Sequence, residues 1–499
     1  MASYVLGLDL GTSACHCVLV DQQGQPVGSA GAPLRFPVPE GGPPLAREFH
    51  PEEVLAILGQ LVGETLGRAA VKGRQITAVG ITSQRQGTVL LDRAGREIYC
   101  SPNIDLRAVF EGAALDDAMG PEIYRATGHA PALLFAPARL RWFRQHQPEL
   151  ACSASTLLSM AGWLGYRLTG QARGELGLDC ELGLVEVSLR RRSLRWLEDV
   201  GLTADLLPPI IEAGQPVGGL LPQLARPWGL MAGTPVTLAG ADTHCALLGM
   251  GMAEEGQTAA IMGWSASVMA LTTAPKLDAA GSRPWVGCYP VDALYTSESN
   301  LGDAGNAYRW LVQTIGGGRL TYLEAEQLAG QIPAGSNGVS VFLGPGPTSA
   351  PQAGLRMGGI MLPTPLSFQE ASPGQIIRAY LESVAYSVKA NLDSLAQVTG
   401  NVAPGLFLGG SMCRSDLLAA ILADVLAIPA WRCRRPEVSA LGAATAAWVL
   451  AGEFSDLKEA VAGQCRDFDT FQPEPGRSAE YRDYYQAWRL MYQRLSATG

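Results

Sequence analysis

The feature that most constrains the fold is a pair of similar segments, each with an apolar run, a short turn and a second apolar run. The first segment is Tyr4–Asp21 with its turn at Asp9–Ser13, and the second is Thr258–Leu271 with its turn at Gly263–Ala266. Runs of this kind around a Gly turn are typical of two buried strands in a hairpin. The internal repeat indicates two related halves that face each other.

The first turn carries residue types that suit a phosphate group and a metal ion. Gly11 lets the backbone approach closely, and the hydroxyl groups of Thr12 and Ser13 can donate hydrogen bonds to phosphate oxygens. Asp9 stands at the end of the first predicted strand, where its carboxylate is placed to hold a Mg²⁺ that screens phosphate charge. An ordinary hairpin with a polar turn is the alternative, and the turn alone does not decide between the two.

Length and composition limit the class of protein. A chain of 499 residues is too long for one core, so two domains are expected. Hydrophobic residues make up 47% of the chain and charged residues 17%, which is typical of a well-buried globular protein. The formal net charge of −9 argues against nucleic-acid binding, because such binding needs basic surface.

Three features favour a cytoplasmic protein without a membrane anchor. The ten cysteines form no regular framework, which indicates reduced thiols. The N-terminus has no basic targeting region, and Asp9 interrupts its apolar run. The uncharged stretch Gly256–Pro275 is long enough to consider as a membrane span, but its Thr, Ser and Gly content and central Gly turn fit two buried strands better.

Polar residues follow a predicted buried strand at Ile76–Ser83. Gln84, Arg85 and Gln86 come directly after it, and ligands of α/β proteins gather at the carboxyl ends of strands. These three side chains are therefore candidates for substrate contact, although Arg85 could equally form an exposed salt bridge. Further along, Asp105 and Arg107 could bind sugar hydroxyls or simply pair with each other at a helix start.

Asp242 is the candidate general base. It follows a continuous apolar strand predicted at Thr234–Gly240 and precedes a helix at Thr243–Leu248. A carboxylate near the end of a buried strand could take a proton from an attacking hydroxyl group. The alternative is that Asp242 caps the helix, a role that Asp favours. His244 is more often a packing residue than a ligand contact at such a position.

The second half contains weaker signals for a nucleotide. Gly305 enters a predicted helix, and a strand at Leu406–Ser411 ends in a double glycine that lets a flat base or a phosphate approach the backbone. Helices are predicted at Ser155–Leu168, Leu194–Val200, Ile376–Leu395, Asp416–Leu426 and Glu480–Leu495, and a helix of small residues suited to close packing begins near Glu437. The last helix, at about residues 478–497, could pack back on the first domain.

Taken together, these motifs resemble the FGGY family of carbohydrate kinases, within the superfamily that includes actin and hexokinase. The resemblance runs over essentially the full length, and the segments that carry it are DLGTS at Asp9–Ser13, ITSQRQG at Ile81–Gly87, Asp105-x-Arg107, LAGADTH at Leu238–His244, Gly263-x-Ser265, YLESVAYSV at Tyr380–Val388, LGGS at Leu408–Ser411 and EVSALGAA at Glu437–Ala444. It implies an α/β fold of the actin-like ATPase, or ribonuclease H-like, type. That fold has a sugar-binding and catalytic domain, here residues 1–247, and a nucleotide-binding domain, here residues 248–499, with the ligand cleft between them.

The resemblance also implies an activity and the roles of individual residues. Phosphorylation of a sugar or polyol hydroxyl by ATP, with Mg²⁺ as cofactor and domain closure over the substrate, is expected. Asp242 would be the catalytic base, and Asp9 and Asp242 would serve Mg²⁺. Substrate contacts would come from Gln84, Arg85, Gln86, Asp105, Asp242 and Thr243, and nucleotide contacts from Gly11, Thr12, Ser13, Gly263, Ser265, Gly305, Gly410, Ser411 and Arg414.

The substrate itself is less constrained, because the motifs that select it are mixed. A ketose such as D-xylulose is favoured, although Arg85-Gln86-Gly87 departs from the usual xylulokinase pattern. A glycerol, erythritol or autoinducer-2 kinase of the same family is the second hypothesis. Trp264 replaces a usual Thr in the second hairpin, so a non-catalytic protein that binds sugar or nucleotide and regulates a partner is the third. Family members are often dimers, which makes a homodimer possible.

Overall fold

The computed structural model describes residues 2–193, 198, 202–278, 281, 284–347, 355, 357–364, 371–435, 437–464 and 467–498. These residues form two α/β lobes, each built on a mixed sheet. The first half of the chain contributes the strands β1 Tyr4–Leu10, β2 Ala14–Asp21, β3 Pro26–Pro33, β4 Ile76–Ser83, β5 Thr88–Asp92, β6 Glu97–Ser101, β7 Ala154–Ser159, β8 Gly174–Glu175, β9 Val185–Glu186, β10 Arg191–Arg192, β11 Ile210–Ile211, β12 Pro216–Gly219 and β13 Pro235–Ala241.

The second half repeats this plan. Its strands are β14 Thr258–Met262, β15 Ala266–Thr272, β16 Trp285–Cys288, β17 Tyr295–Gly302, β18 Ser340–Phe342, β19 Gly359–Met361, β20 Leu406–Gly409, β21 Ala430–Cys433 and β22 Phe468–Phe471. The first sheet has the order β12-β13-β4-β1-β2-β3, and the second has β16-β17-β15-β14-β20-β21-β22.

The two sheets share one strand pattern. In the first, β3, β2 and β1 are antiparallel neighbours, and β4 and β13 continue the sheet parallel to β1. In the second, β17, β15 and β14 are antiparallel neighbours, and β20 and β21 continue parallel to β14. The hairpins predicted around Asp9–Ser13 and Gly263–Ala266 are thus confirmed, and the repeat is a true structural duplication.

Helices surround both sheets. They are α1 Pro51–Ala69, α2 Val109–Thr127, α3 Ala136–His146, α4 Pro148–Ser153, α5 Met160–Thr169, α6 Leu176–Glu181, α7 Pro222–Ala225, α8 Asp242–Gly249, α9 Ala304–Ile315, α10 Tyr322–Gly330, α11 Pro373–Thr399, α12 Asp416–Leu426, α13 Val438–Leu450, α14 Leu457–Gly463 and α15 Pro475–Thr498. The longest, α11, begins with a capping box in which the Ser372 hydroxyl accepts the Gln375 amide proton. In the described part of the chain, none of these helices has the length and apolar character needed to cross a membrane.

Two helices exchange places between the lobes. Leu247 and Leu248 of α8, which follows the first sheet, pack with Met269 and Leu271 of the second sheet. Conversely, α13 follows β21 of the second sheet, and its residues Ala440 and Ala444 pack with Val5 and Ala78 of the first sheet. One face of each sheet is thus packed against a helix from the opposite half of the chain.

Glycines allow α13 to lie directly on the first sheet. A methyl group on Gly7 of β1 would overlap the carbonyl oxygen of Ala440, and one on Gly80 of β4 would overlap that of Ala443. Both strand positions therefore need glycine for steric reasons rather than for a special backbone angle. The small-residue character of α13, noted in the sequence, serves this close approach.

Two helix predictions need correction, and a third cannot be compared. Residues 154–159 form β7, which pairs with β5, so the helix predicted from Ser155 begins only at Met160. The last helix does not return to the first lobe, because Trp488 stacks on Phe342 and contacts Tyr386 in the second. The C-terminal half of the chain does contact the first lobe, but it does so through α13. The helix predicted at Leu194–Val200 lies outside the described residues, apart from residue 198.

Candidate active site

Two carboxylates lie at the ends of two strands of the first sheet. Asp9 lies near the end of β1 and Asp242 directly follows β13, and both strands flank β4 on opposite sides at the level of Thr82. The Thr82 hydroxyl donates a 2.8 Å hydrogen bond to the carbonyl oxygen of Gly240. Gly240 has a φ of +116°, which glycine tolerates, and this bend directs the chain into α8.

The surroundings of these two carboxylates suit a bound cation. Asp9 is only 8% exposed, and its Oδ1 atom has no hydrogen-bond partner among the described residues. Burial and the nearby Asp9 carboxylate raise the pKa of Asp242 to about 7. Two acids in this arrangement fit a Mg²⁺ ion, which is commonly held by one or two carboxylates together with waters and substrate phosphates. No cluster of three or more His, Cys, Asp or Glu side chains that could hold a metal ion occurs in the described part of the chain.

The structure does not support the capping alternative for Asp242. Ala241 occupies the N-cap position of α8, and no side chain caps this helix. The Asp242 Oδ1 atom accepts a 2.8 Å hydrogen bond from the amide of its neighbour Thr243. The residue is partly exposed.

The first hairpin turn is held by two side chains. The Gln84 amide donates a 3.1 Å hydrogen bond to the carbonyl oxygen of Gly11, and its Oε1 accepts one of 2.8 Å from the Asn103 backbone amide. The Asn103 side chain in turn donates to the Thr12 hydroxyl at 3.0 Å. Gln84, which was expected to contact the substrate, thus supports the turn instead. Ser13, in the turn itself, is exposed. Asn103 was missed by the sequence-based reasoning.

The second hairpin turn closes against two other segments. The Gly305 amide donates a 3.1 Å hydrogen bond to the carbonyl oxygen of Gly263, and the Gly263 amide donates one of 2.9 Å to that of Ser265. A methyl group on Gly410, which has a φ of +94°, would overlap the backbone at Met262. The structure therefore brings together Gly263, Ser265, Gly305 and Gly410, which the family resemblance assigns to the nucleotide.

Trp264, the unusual residue of this turn, faces outward. Its side chain is 56% exposed, and the guanidinium group of Arg309 lies over its ring at 4.7 Å from the ring centre. Cation–π contacts of this kind orient an exposed aromatic side chain. More than half of the Trp264 side chain is open to solvent, so the ring is not packed into the core beneath the turn.

The remaining nucleotide-side residues face the first hairpin. Ser411–Arg414 form a single 3-10 turn directly after Gly410. Burial and the nearby Arg414 guanidinium group lower the pKa of the His16 imidazole on β2. The carboxylates of Asp9 and Glu437 have the opposite and larger effect, so the pKa of His16 is raised overall. Arg414, directly after the double-glycine turn, thus lies near the first hairpin.

Arg85 forms a buried ion pair between the lobes. Its guanidinium group contacts both carboxylate oxygens of Glu298 on β17, at 2.5 and 3.1 Å, and lies 3.7 Å from Glu181 at the end of α6. The Arg85 side chain is 13% exposed and lies over the Trp285 ring. Arg85 does form a salt bridge, but the prediction that it is exposed was wrong. Both partners of Arg85 are distant from it in the chain.

Glu181 is the centre of a buried polar network. The Glu181 carboxylate accepts a 3.4 Å hydrogen bond from the Gln86 side-chain amide. It also lies 3.4 Å from Nε2 of His129 and 3.8 Å from Nε2 of His244. Burial alone would raise the pKa of Glu181, but His129 and Arg85 lower it to about 2. Burial lowers the pKa of His244 to about 4, so this imidazole is neutral at pH 7. Neither Glu181, His129 nor Glu298 was found from the sequence, since local patterns do not reveal such distant partners.

Asp105 is enclosed rather than open to the cleft. Its carboxylate pairs with the Arg107 guanidinium at 2.8 Å and accepts a 2.5 Å hydrogen bond from the Tyr99 hydroxyl, and the residue has no exposed surface. The structure thus favours pairing over the substrate contact expected for Asp105. A second ion pair, between Arg107 and Glu48 at 2.6 Å, extends this cluster.

Comparison with known families decides the identity of the fold. The N-terminal domain of the FGGY family of carbohydrate kinases matches residues 4–249, and the C-terminal domain of the same family matches residues 258–451. The chain belongs to the FGGY family of carbohydrate kinases. It is therefore an enzyme of the sugar kinase class, with the two-domain fold of actin-like ATPases.

Individual relatives agree with this assignment. The autoinducer-2 kinase of Escherichia coli strain K12 is 28% identical over 98% of this chain and 94% of its own length. A crystal structure of gluconate kinase from Lactobacillus acidophilus has a TM-score of 0.88 at 18% identity, with 100% of this chain and 99% of that one covered. A ligand-bound xylulose kinase of the same organism has a TM-score of 0.87 at 18% identity, with 99% of both chains covered. At such identities the two solved structures are evidence for the fold alone.

Proposed function

We propose that this FGGY kinase transfers the terminal phosphoryl group of ATP to a hydroxyl group of a small sugar, with Asp242 as the general base. The observation that carries the proposal is the pair of cleft carboxylates, Asp9 and Asp242, at the ends of two strands that flank β4. Phosphoryl transfer needs alignment, charge neutralisation and a base, and little covalent chemistry from the protein.

The environment of Asp242 supports the role of proton acceptor. A general base works best when its pKa is close to the pH at which it operates, and burial with Asp9 nearby raises the pKa of Asp242 to about 7. As the sugar oxygen bonds to the terminal phosphorus, its proton passes to the Asp242 carboxylate. The bond between this phosphorus and the bridging oxygen breaks at the same time, and ADP leaves with the electron pair.

Other residues would bind and orient the two substrates. Mg²⁺, held by Asp9 and Asp242, would neutralise phosphate charge when bound. The hydroxyl groups of Thr12, Ser13 and Ser265 and the backbone at Gly11 and Gly263 would contact the phosphates. The double-glycine turn with Gly410, Ser411 and Arg414 would approach the nucleoside, together with Gly305. Arg85, Gln86 and Thr243 would face the sugar.

Autoinducer-2 is the first sugar to test. Relatives of that activity match this chain along 98% of its length, and their 28% identity covers both domains. A ketose such as D-xylulose is the comparison substrate, since the sequence motifs favoured it. The gluconate and xylulose kinases share the fold about equally, so the fold itself does not select the sugar.

The experiment is sugar-dependent release of ADP from Mg·ATP. The panel comprises autoinducer-2 precursor, D-xylulose, other ketoses, aldoses, glycerol and erythritol, each with the wild-type protein and with Asp242→Asn. One sugar that drives turnover in the wild type and fails in the variant supports the proposal and names the substrate. A folded wild-type protein that releases no ADP with any of these sugars contradicts it.

A further inference from the structure

We propose that Arg139 is a positioning residue that holds a sugar-binding segment and the phosphate-binding turn of the first lobe in one fixed arrangement. The inference rests on the proposed function, because it concerns residues that are expected to contact the two substrates or to support those that do. Arg139 lies on α3 and acts through Gln86 on the sugar side and through Asn103 on the phosphate side.

Arg139 is a buried cation whose hydrogen-bond partners are neutral. Only 1% of the residue is exposed, and no carboxylate forms an ion pair with it in the described part of the chain. Its two terminal nitrogens donate to four acceptors, although its Nε atom has no partner among the same residues. A buried charge costs free energy unless hydrogen bonds compensate it, so these four bonds strongly favour one placement of the acceptors around Arg139.

The four acceptors belong to two separate segments, one for each nitrogen. Nη1 donates to the carbonyl oxygen of Gln86 and, at 2.7 Å, to the hydroxyl group of Thr88, at the start of β5. Nη2 donates to the carbonyl oxygens of Pro102 at 3.2 Å and Asp105 at 3.4 Å, in the loop after β6. Because a guanidinium group is planar and rigid, it fixes the spacing between the two segments.

The first segment carries a proposed sugar contact in a strained conformation. Gln86 has a φ of +60°, which side-chain-bearing residues rarely adopt and which persists only where the surroundings impose it. Its carbonyl oxygen accepts the Arg139 bond and a second bond of 3.2 Å from the Thr88 hydroxyl group. Arg139 thereby fixes the backbone from which the Gln86 side chain reaches Glu181 and, as proposed, the sugar.

The second segment supports the phosphate-binding turn. Asn103 follows Pro102 directly, so the bond from Arg139 to the Pro102 carbonyl group restrains the position of Asn103. The Asn103 side chain donates to the Thr12 hydroxyl group at 3.0 Å, and its backbone amide donates to Gln84 at 2.8 Å. A displacement of this loop would therefore move a hydroxyl group that is proposed to contact phosphate.

The test is steady-state ADP release by Arg139→Lys, with the sugar of the panel that drives the fastest turnover. Lysine keeps the charge, but its single nitrogen cannot hold both segments at a fixed spacing. We expect KM for the sugar and KM for ATP each to rise at least fivefold. A purely structural role would instead reduce the amount of folded enzyme, which lowers kcat and leaves both KM values unchanged.

Double variants separate the two paths. Asn103→Ala breaks the side-chain link to Thr12 and is expected to raise KM for ATP alone. Adding Arg139→Lys to Asn103→Ala should then raise KM for ATP less than twofold further, but KM for the sugar at least fivefold. Residues that act through one another give such non-additive effects, whereas independent residues give additive ones. Fully additive effects on KM for ATP would overturn the proposal.

A matched control and a second variant keep the test decisive. Arg144→Lys makes the same change at an exposed arginine of α3 and should alter neither KM value. Thermal melting shows whether each variant is folded. If Arg139→Lys does not fold, Thr88→Val replaces it, because it removes the hydroxyl partner of Nη1 and leaves the bonds of Nη2 in place. This change should raise KM for the sugar at least threefold and leave KM for ATP unchanged.

A folded Arg139→Lys protein with both KM values within twofold of the wild type would overturn the proposal, as would a folded Thr88→Val protein with an unchanged KM for the sugar. A wild type that releases no ADP with any sugar contradicts the proposed function instead. In that case, calorimetry with Mg·ADP tests the phosphate-side path. A dissociation constant at least fivefold higher in Arg139→Lys supports the proposal, and an unchanged constant or no binding by the wild type refutes it.

Discussion

Gly442 of α13 lies directly against the carbonyl oxygen of Cys245 of α8, so that a methyl group on Gly442 would overlap this oxygen. The contact is repeated one turn further along, where a methyl group on Gly249 would overlap the carbonyl oxygen of Val438. The two helices that the lobes exchange therefore cross backbone to backbone, with no side chain between them at these points.

The crossing should tolerate no added atom. We expect Gly442→Ala to lower the free energy of unfolding by about 1–3 kcal/mol or to prevent folding, because overpacking a close contact forces the backbones apart. Chemical denaturation measures the effect. Gly63→Ala is the matched control, since its methyl group would meet no atom within 4 Å on α1. That change should stabilise the protein by roughly 0.5–1 kcal/mol, and equal effects of both changes would refute the interpretation.

Asp242→Asn should abolish most of the activity and spare the fold. Loss of a positioned general base costs about 10²–10⁴-fold in turnover. Asn has nearly the same shape as Asp and can accept the hydrogen bond from the Thr243 amide. ADP release and circular dichroism provide the two measurements, with Asp205→Asn as an exposed control in the same lobe. Full activity in the variant would exclude Asp242 as the base.

The same substitution should stabilise the protein in a pH-dependent way. The pKa of Asp242 is about 7 in the folded protein and about 3.9 in an unfolded chain. Folding therefore becomes less favourable as the pH rises from about 4 to 7, and Asn removes this penalty. In EDTA at pH 8 we expect a gain of about 1–3 kcal/mol, reduced because the side chain is partly exposed, and almost none at pH 4. A gain independent of pH would contradict the assignment.

Gly263→Ala should impair ATP binding without affecting stability. A methyl group at this position would meet no protein atom within 4 Å, so the folded structure can accept it. If phosphate oxygens approach the turn as proposed, the same methyl group would obstruct them, and KM for ATP should rise at least tenfold with little change in melting temperature. Gly330→Ala, equally unobstructed in α10, is the control. An unchanged KM would place the phosphates elsewhere.

Local patterns in the sequence predicted much of this architecture. Buried strands alternate with Gly turns and capped helices, so the hairpins at Asp9–Ser13 and Gly263–Ala266 and the helix Asp416–Leu426 were placed correctly. The segment Ser155–Ser159 was misassigned, because a short apolar run fits a strand and the start of a helix equally well, and only pairing with β5 decides.

Partners that are distant in the chain could not be predicted in this way. Arg85 was recognised as a polar residue at a strand end, but Glu298, its partner, is 213 residues away on a strand with no distinctive motif. Similarly, the small residues of α13 indicated close packing without indicating which sheet they would contact. Such pairings depend on how whole helices and strands are arranged in the folded protein, and a short stretch of sequence does not carry that information.

The exchange of α8 and α13 also has a consequence for how the protein is made. The first sheet has all its strands once Ala241 is synthesised, but the helix that covers Val5 and Ala78 begins only at Val438, about 200 residues later. Because domains fold as they emerge from the ribosome, the first lobe must wait with an apolar face uncovered while most of the second is produced. The cores of both lobes are then completed at the same stage of synthesis. The last fifth of the chain therefore determines when the newly made kinase reaches its native fold.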